Sequence, residues 1–269
     1  MEGENIEKWV ERASFGDKTA LEQVILHIKD YVYNLSLKML LYPEDAKDAT
    51  QEILIRIITH LGTFSQQSKF STWVYRVATN YLLTVKGKKA KAFEMPFDSY
   101  AKLIDTGQSN AVAYTKNQGE LRLLEEEVKV SCTQGLLLCL KPLDRMVYIL
   151  SDILDMGGIE GAEIMEISPE NYRKRLSRSR RKIRNFLNDK CGLANPLNPC
   201  RCTKKIDFLI DTKTIAPKSL RFATLNQRSI DLAEKLGELE KATAIYRSVP
   251  NALAPSEVFN TIKSIVSNA

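Results

Sequence analysis

The sequence predicts an all-α protein: two helical domains joined by a flexible linker, followed by a small helical C-terminal extension. Apolar residues recur every three or four positions along most of the chain, which is the period of an amphipathic helix, and strand signals are almost absent. The period is lost in residues 92–130, which contain Pro96, Gly107 and Gly119, and again in a turn-rich segment after Lys190. These breaks divide the 269 residues into segments 1–91, 92–130, 131–190 and 191–269.

Composition excludes several classes of protein. The content of 44% hydrophobic and 27% charged residues is ordinary for a globular protein. No apolar run approaches the length of a membrane span, and the acidic first residues do not resemble a signal peptide, so we expect a cytoplasmic protein without a membrane partner. Five cysteines, an odd number in a long chain, argue against a secreted disulfide scaffold.

The first domain is predicted to contain three or four packed helices. One helix carries an apolar stripe formed by Leu21, Val24, Ile25, Ile28, Val32 and Leu35. A second helix follows Pro43, and its inner face is formed by Ala49, Ile53, Ile57 and Leu61. A polar loop from Ser65 to Lys69 precedes a helix from about Ser71 to Leu83. The domain closes with a basic cluster of Lys86, Lys88, Lys89 and Lys91.

Residues 159–184 predict a helix-turn-helix whose second helix is basic. A short amphipathic helix ends in a tight break, after which Ser168 and Pro169 begin a longer helix. Residues 169–190 contain nine Lys and Arg and two acidic residues, a net charge of +7, whereas the whole chain carries +6. The charge is therefore local, as expected of a recognition helix that enters a nucleic-acid groove. A solvated basic face, or one that binds acidic protein or anionic lipid, is the alternative.

Two ordered segments narrow the interpretation. The first contains Asp45-Ala-Lys-Asp48-Ala-Thr-Gln51-Glu52, then Thr63-Phe64, then Phe70-Ser-Thr-Trp73-Val-Tyr75-Arg76-Val-Ala-Thr-Asn80. The second is the helix-turn-helix block, which starts with Leu136 to Arg145. Together they resemble the extracytoplasmic-function group of the sigma-70 family, over about residues 5–85 and 133–190. The resemblance implies a sigma region 2 domain at 1–91 and a sigma region 4 domain at 131–190, with the chain beyond about residue 203 outside it.

The resemblance implies a transcription initiation factor rather than an enzyme. Such a factor binds core RNA polymerase through the β′ clamp helices and the β flap, recognises the −10 and −35 promoter elements, and promotes DNA melting. Promoter DNA is then a partner, and an anti-sigma factor is a further candidate. The sequence shows no Ser/His/Asp set or phosphate-binding glycine loop. The alternative is a helix-turn-helix regulator that binds duplex DNA without polymerase and needs neither the polar face at Asp48 nor the loop before Trp73.

The candidate polymerase contacts lie on the second helix. Asp48, Gln51 and Glu52 are spaced i, i+3, i+4 and predict one polar helix face. The resemblance implies that this face docks on the clamp helices, where carboxylates and an amide can pair with arginine, with Leu54 and Ile58 at its flank. A solvated acidic face, or capping of the helix by Asp45, is the alternative.

The resemblance also assigns residues to each promoter element. Phe64 and the loop residues capture a base flipped from the −10 element, because an unpaired base needs stacking surfaces and amide or hydroxyl partners. Arg76 and the lysine cluster hold phosphates, while Asn80 contacts a −10 base. The loop residues are Ser65, Gln66, Gln67 and Ser68. The residues implied to face the −35 element in the major groove are Arg173, Lys174, Ser177 and Arg178.

The second helix of the helix-turn-helix departs from the family at one position. Tyr172 replaces a small aliphatic residue, and we expect it to pack inward with Leu176, Ser179 and Ile183. Four further basic residues are expected to serve the DNA backbone or solvent: Arg175, Arg180, Arg181 and Lys182.

The C-terminal segment supports two open interpretations. Cys191, Cys200 and Cys202 offer three thiolates for zinc, but a fourth ligand would have to come from Cys132 or Cys139, which are expected in the core, and the paired Cys-x-x-Cys pattern is missing. A redox-active cluster of the same thiols is a second possibility, and a structural turn with free thiols and no cofactor is the alternative to both. Amphipathic helices are predicted at residues 225–247 and 255–266, and this extension either restrains the protein or assists promoter opening.

Overall fold

The computed structural model describes residues 6–84, 94–220, 246–247 and 251–268, and helices form all of the regular secondary structure within these ranges. The all-α prediction is confirmed. The basic cluster Lys86, Lys88, Lys89 and Lys91, and nearly all of the helix predicted at residues 225–247, lie outside the described residues.

The chain divides into two compact units. Unit 1 takes its described residues from 1–90, 157–169 and 251–269, and unit 2 from 91–156 and 170–250. In chain order the helices are α1 Ile6–Ser14, α2 Lys18–Leu40, α3 Pro43–His60, α4 Phe70–Thr84, α5 Phe97–Asp105, α6 Gln118–Leu137, α7 Pro142–Tyr148, α8 Gly158–Ile164, α9 Pro169–Lys190, α10 Ile206–Asp211 and α11 Ser256–Asn268. The two parts of the predicted helix-turn-helix are α8 and α9, with a tight break at residues 165–168.

Unit 1 is built around α2 and α3, which pack against each other and against α4. The Asp17 carboxylate accepts a hydrogen bond from the Ala20 backbone N–H at 3.0 Å and so caps α2. Pro43 occupies the first turn of α3, where its missing N–H costs nothing. The predicted α2 stripe is buried apart from half-buried Leu21, and all four residues of the predicted α3 face are buried. The spacing of apolar residues in the sequence therefore predicts which residues form the core of this unit.

Unit 2 joins α6, α7 and α9 through polar groups as well as apolar ones. The buried guanidinium of Arg145 donates to the backbone carbonyls of Leu137, Leu138 and Leu140 at 3.0–3.2 Å. These carbonyls lie at and just beyond the end of α6, where helix carbonyls lack intrahelical partners. Arg145 therefore ties the end of α6 to the beginning of α7.

The segment predicted as a flexible linker, residues 92–130, contains α5 and the first two-thirds of α6. On α5, Tyr100 is buried and its hydroxyl donates to the Cys132 carbonyl of α6 at 2.6 Å. A cluster of Leu124, Val128, Ile206 and Ile215 further packs α6 on the segment that follows α9. The segment thus belongs to the packed core of unit 2, and the expectation of a flexible linker there is not met.

No helix among the described residues combines the length and the apolar character that crossing a bilayer requires.

Lys38 on α2 is the buried charge of unit 1 with the largest expected effect on stability. Only 4% of its surface is exposed, and burial lowers the pKa of its ammonium to about 8. We expect Lys38→Met to raise the free energy of unfolding at pH 7 by about 2–3 kcal/mol, because one pKa unit corresponds to about 1.4 kcal/mol.

The same shift predicts a pH dependence. Between the lowered pKa of about 8 in the folded protein and the ordinary lysine pKa near 10.4, the unfolded chain binds more protons, so stability conferred by this site rises with pH. Urea denaturation of the wild type and Lys38→Met from pH 7 to pH 10.5 measures the difference, which should shrink as pH increases. Parallel stability curves would contradict the assignment.

Candidate functional site

The acidic face of α3 is exposed to solvent. Asp48 and Glu52 are exposed, and Gln51 between them is half-buried. The three side chains share one face of a regular helix, as the i, i+3, i+4 spacing predicts. Leu54 is fully buried and Ile58 half-buried, so Leu54 serves the core of unit 1 in this conformation and is not a surface contact. The exposed part of the face is therefore polar and suited to a cationic partner.

Aromatic residues hold the loop that precedes α4. The Phe64 ring lies 5.5 Å from the rings of both Phe70 and Trp73, and Phe70 and Trp73 stack at 5.9 Å. Ser65, Gln66 and Gln67 are exposed above this cluster, and Ser68 is half-buried. Gln66 has a positive φ of 57°, which turns the chain back toward α4. Exposed amide and hydroxyl groups and an aromatic cluster thus lie next to each other in the chain, the two kinds of group that an unpaired nucleotide base binds.

Polar residues at intervals of four line α4 beside this loop, and acidic residues of α8 and the turn after it face them. Thr72 Oγ1 donates to Glu160 Oε1 at 3.0 Å, and Arg76 Nη2 donates to Glu163 Oε1 at 2.9 Å. Asn80 Nδ2 donates to Glu166 Oε2 at 3.3 Å. We call Glu160, Glu163 and Glu166 the acidic row. Two of the residues assigned to −10 DNA, Arg76 and Asn80, therefore bond Glu163 and Glu166 in this conformation.

The acidic row is a feature that the sequence analysis did not use. Its members recur at intervals of three, a spacing that is visible in the sequence. Glu160 and Glu163 share one side of α8, and Glu166 lies in the turn after the helix. Arg76 keeps a further buried donor, because Nε has no hydrogen-bond partner within the described part of the chain. Arg76 therefore has capacity for an additional anionic acceptor.

The basic helix α9 presents its predicted contact residues to solvent. Arg173, Lys174, Ser177 and Arg178 are all exposed, and Lys174 forms an ion pair with Glu170 at 2.7 Å. An open groove of about 440 Å³ along this helix is lined by Arg173, Leu176, Ser177, Arg180, Arg181 and Arg184. A groove lined by four arginines beside exposed hydroxyl and guanidinium groups is suited to a polyanion.

Two arginines of α9 hold the helix in unit 2. Arg175 Nη1 bonds Asp144 Oδ1 at 2.6 Å, and the Arg180 guanidinium donates to both carboxylate oxygens of Asp152 at 2.6–3.1 Å. These two residues were expected to serve the DNA backbone or solvent. The structure instead gives them partners that orient α9.

Tyr172 packs inward, as expected. Its side chain is fully buried, and its hydroxyl forms a hydrogen bond with Ser151 Oγ at 2.8 Å. Ser179, Ile183 and Leu187 complete the buried face of α9. Tyr172 can therefore be buried in the core of unit 2, because Ser151 provides a hydrogen-bond partner for its hydroxyl.

The five cysteines are free thiols, and each is half-buried. Burial raises the pKa of Cys200 and raises the pKa of Cys202 well above its ordinary range. Within the described ranges no three His, Cys, Asp or Glu side chains are placed to hold a metal ion. The donor set does not fit zinc in this arrangement, and the zinc expectation for Cys191, Cys200 and Cys202 stays a prediction.

Comparison with known proteins identifies the same two segments. The Sigma-70 region 2 family model matches residues 24–91, and the model of Sigma-70, region 4 matches residues 131–183. The ECF RNA polymerase sigma factor SigW of Bacillus subtilis is 30% identical over 188 residues, which span 68% of this chain and 97% of SigW. The RNA polymerase sigma-H factor of Pseudomonas aeruginosa is 25% identical over 182 residues, spanning 67% of this chain and 92% of that factor.

Among solved structures, CnrH in complex with the cytosolic domain of CnrY matches with 18% sequence identity and a TM-score of 0.47. The match spans 67% of this chain and 96% of that one.

Proposed function

This chain belongs to the extracytoplasmic-function group of RNA polymerase sigma factors, and from that premise we propose which of its surfaces bind polymerase and which bind the promoter. As a sigma factor it acts with RNA polymerase at promoter DNA. The assignment of individual residues is our proposal. It rests on the coincidence of exposed, chemically suited side chains with the positions that the family resemblance indicates.

The polymerase contact is assigned to α3. Asp48 and Glu52 are exposed carboxylates on one helix face, with the Gln51 amide between them. Such a face pairs with arginine and lysine of a partner helix, and its charge both attracts and orients the partner. We assign this face to the β′ clamp helices and α9 with its unit to the β flap.

The −10 contact is assigned to the loop after Phe64 and to α4. The aromatic base formed by Phe64, Phe70 and Trp73 supports the loop, and Gln66 and Gln67 supply exposed amides. A base flipped out of the duplex gains stacking and amide hydrogen bonds there, and this binding energy offsets the cost of unpairing. Arg76 binds a phosphate, and Asn80 reads a base edge.

The −35 contact is assigned to α9. Arg173 and Arg178 can each present a guanidinium fork to guanine in the major groove, while Lys174 and Ser177 contact bases or phosphates. Arg175 and Arg180 position the helix through their ion pairs with Asp144 and Asp152. Melting in this scheme is driven by binding alone and requires no cofactor.

The acidic row gives a prediction for DNA binding. Arg76 and Asn80 form hydrogen bonds with Glu163 and Glu166, so DNA must displace the two glutamates before it can bind these donors. We expect Glu163→Gln/Glu166→Gln to bind a single-stranded −10 oligonucleotide about three- to tenfold more tightly than the wild type. The partly exposed Arg76–Glu163 ion pair is worth up to about 1 kcal/mol, and the Asn80–Glu166 hydrogen bond adds about 1 kcal/mol or less. Fluorescence anisotropy with the free protein measures this change.

The control for this prediction is Glu11→Gln, which removes one exposed carboxylate from α1. It should leave the affinity within about twofold, because Arg76 and Asn80 bond Glu163 and Glu166 and not Glu11, and an exposed charge is largely screened by salt. Equal affinities for the control and the double variant would show that loss of negative charge, and not release of Arg76 and Asn80, explains any gain.

Run-off transcription tests the assignment as a whole. Purified protein is added to bacterial core polymerase with a pool of promoter fragments, in parallel with Asp48→Ala/Gln51→Ala and Arg173→Ala/Arg178→Ala. We expect promoter-specific transcripts with the wild type and a strong loss with each double variant. Full transcription from both variants would contradict the assigned surfaces, while binding to duplex DNA without any transcript would favour a polymerase-independent regulator.

A further inference from the structure

The C-terminal helix α11 docks on unit 1 through a continuous apolar face. Val258, Ile262 and Val266 recur at intervals of four, and each is at most 5% exposed. The helix packs on both α2 and α3. Two ion pairs flank this face: Glu257 Oε2 lies 2.8 Å from Lys47 Nζ of α3, and Lys263 Nζ lies 3.1 Å from Glu22 Oε2 of α2. Helix α11 is therefore a docked element of unit 1 although it begins 196 positions after the end of α3.

The residues just before α11 are held in one register by buried polar groups. The Asn34 amide donates to the Ala252 carbonyl at 2.7 Å and accepts from the Ala252 N–H at 2.9 Å. The Asp30 carboxylate accepts from the Ala254 N–H at 2.8 Å. Asn34 is only 3% exposed, so its two bonds to Ala252 are directional and shielded from water, and half-buried Asp30 adds the third bond. Residues 252–254 therefore have a specific docking position on α2, which together with the docked α11 we call the seat.

This seat lies on the flank of α3 that adjoins the assigned polymerase contact. Lys47, Leu54 and Ile58 are spaced i, i+7, i+11 and fall on one side of α3. Lys47 is the immediate neighbour of Asp48, and its ammonium is bonded to α11. Leu54 is fully buried and Ile58 half-buried, whereas Asp48 and Glu52 on the adjacent flank are exposed. Helix α11 therefore packs on α3 beside the acidic face and bonds Lys47, while Asp48 and Glu52 stay exposed.

We propose that α11 is an internal competitor of core polymerase for the Lys47–Ile58 flank of α3. This inference rests on the proposed polymerase contact. The seat is suited to release, because its ion pairs are exposed and contribute little. Its hold depends on a short apolar face and on the three hydrogen bonds that Ala252 and Ala254 form with Asn34 and Asp30. When the competent conformation is only a fraction of the population, the apparent dissociation constant for polymerase increases by the inverse of that fraction. Release of α11 then strengthens binding without a new contact.

The test uses the full chain with α11 released by Val258→Glu/Ile262→Glu. The matched control, Asn260→Glu/Thr261→Glu, adds the same charge to the exposed side of the same helix. Binding of each protein to core polymerase is measured by biolayer interferometry, and amide hydrogen exchange reports on α2 and α3. We expect the released variant to bind at least tenfold more tightly than the wild type, with faster exchange confined to α11 and the surfaces it covers. The control should match the wild type.

The outcomes separate the two proposals. Equal or weaker binding by the released variant, with α2 and α3 still protected from exchange, would overturn the competitor role while leaving the polymerase contact intact. If no protein binds core polymerase, the proposed contact itself fails. Loss of exchange protection throughout unit 1 would indicate misfolding, and a synthetic peptide of residues 251–268 then provides the test. The peptide should inhibit binding of core polymerase to the control protein. Failure to inhibit at a peptide concentration about 1,000 times that of the protein would overturn the proposal.

Discussion

Replacing Asp48 and Glu52 with lysine is expected to weaken binding of core polymerase by about a thousandfold. Both carboxylates are exposed on α3, so the substitutions leave the core of unit 1 unchanged. Each reversal removes an attraction and adds a repulsion, and breaking a close interfacial charge pair costs about 2–5 kcal/mol. Two such changes correspond to about 4 kcal/mol or more, and a thousandfold change in affinity is about 4 kcal/mol.

The experiment compares three full-length proteins in a binding assay with fluorescently labelled core polymerase. Asp48→Lys/Glu52→Lys is measured beside the wild type and a control, Glu11→Lys, which reverses an exposed charge on α1. The control should bind within about threefold of the wild type, since an exposed charge away from the contact is screened. If the double variant binds like the control, α3 is not the polymerase contact.

Removal of the two guanidinium groups assigned to −35 bases is expected to have the next largest effect. Each bidentate contact between arginine and guanine is worth about 1–3 kcal/mol. Arg173→Ala/Arg178→Ala should therefore lower the affinity of the holoenzyme for a cognate promoter by about a hundredfold, with a much smaller loss on a fragment whose −35 element is scrambled. Both side chains are exposed, so the fold of unit 2 should be retained.

A phosphate contact behaves differently from a base contact and provides the control. Lys182 is exposed on α9 and was assigned to the DNA backbone or solvent. Lys182→Ala should reduce affinity for cognate and scrambled fragments alike and should lower the slope of binding against salt concentration by about one. If Arg173→Ala/Arg178→Ala reduces binding to both fragments equally, these arginines contact phosphate and the −35 assignment is wrong.

The helices of both units could be predicted because their apolar residues follow a regular period. Ile53 and Ile57 are spaced for one face of α3, and the structure buries both. The residues that mark the start of a helix can also be read from the local sequence. Pro43 begins α3, and Pro169 begins α9. Such signals act within one or two turns, so they require no knowledge of the tertiary fold.

Other features depend on residues far apart in the chain and could not be predicted in this way. Arg76 and Glu163 form an ion pair although 87 positions separate them. The pattern places each on the polar side of its helix and does not indicate which helix faces it. Lys38 is a second example, because a lysine is normally read as a surface residue. Its burial comes from packing within unit 1.

The helices between the two family matches, in residues 92–130, could not be predicted for a similar reason. Helix α5 is nine residues long, and helices of that length have little stability alone. Its stability comes from contacts with unit 2, such as the Tyr100 hydroxyl on the Cys132 carbonyl and the Tyr100 ring 5.5 Å from that of Phe186. Helix α11 likewise had a predicted amphipathic pattern, but only the structure shows that it docks on α2 and α3.

Permanganate footprinting shows whether this chain opens promoter DNA when it is bound to core polymerase. Permanganate oxidises thymines that are unpaired and unstacked, so a supercoiled promoter is treated with core polymerase alone, with the chain alone, and with both together. We expect reactive thymines around the −10 element only when both are present, with a strong loss for Asp48→Lys/Glu52→Lys. Thymines that stay protected with both proteins present, on promoters that the mixture binds, would contradict this expectation.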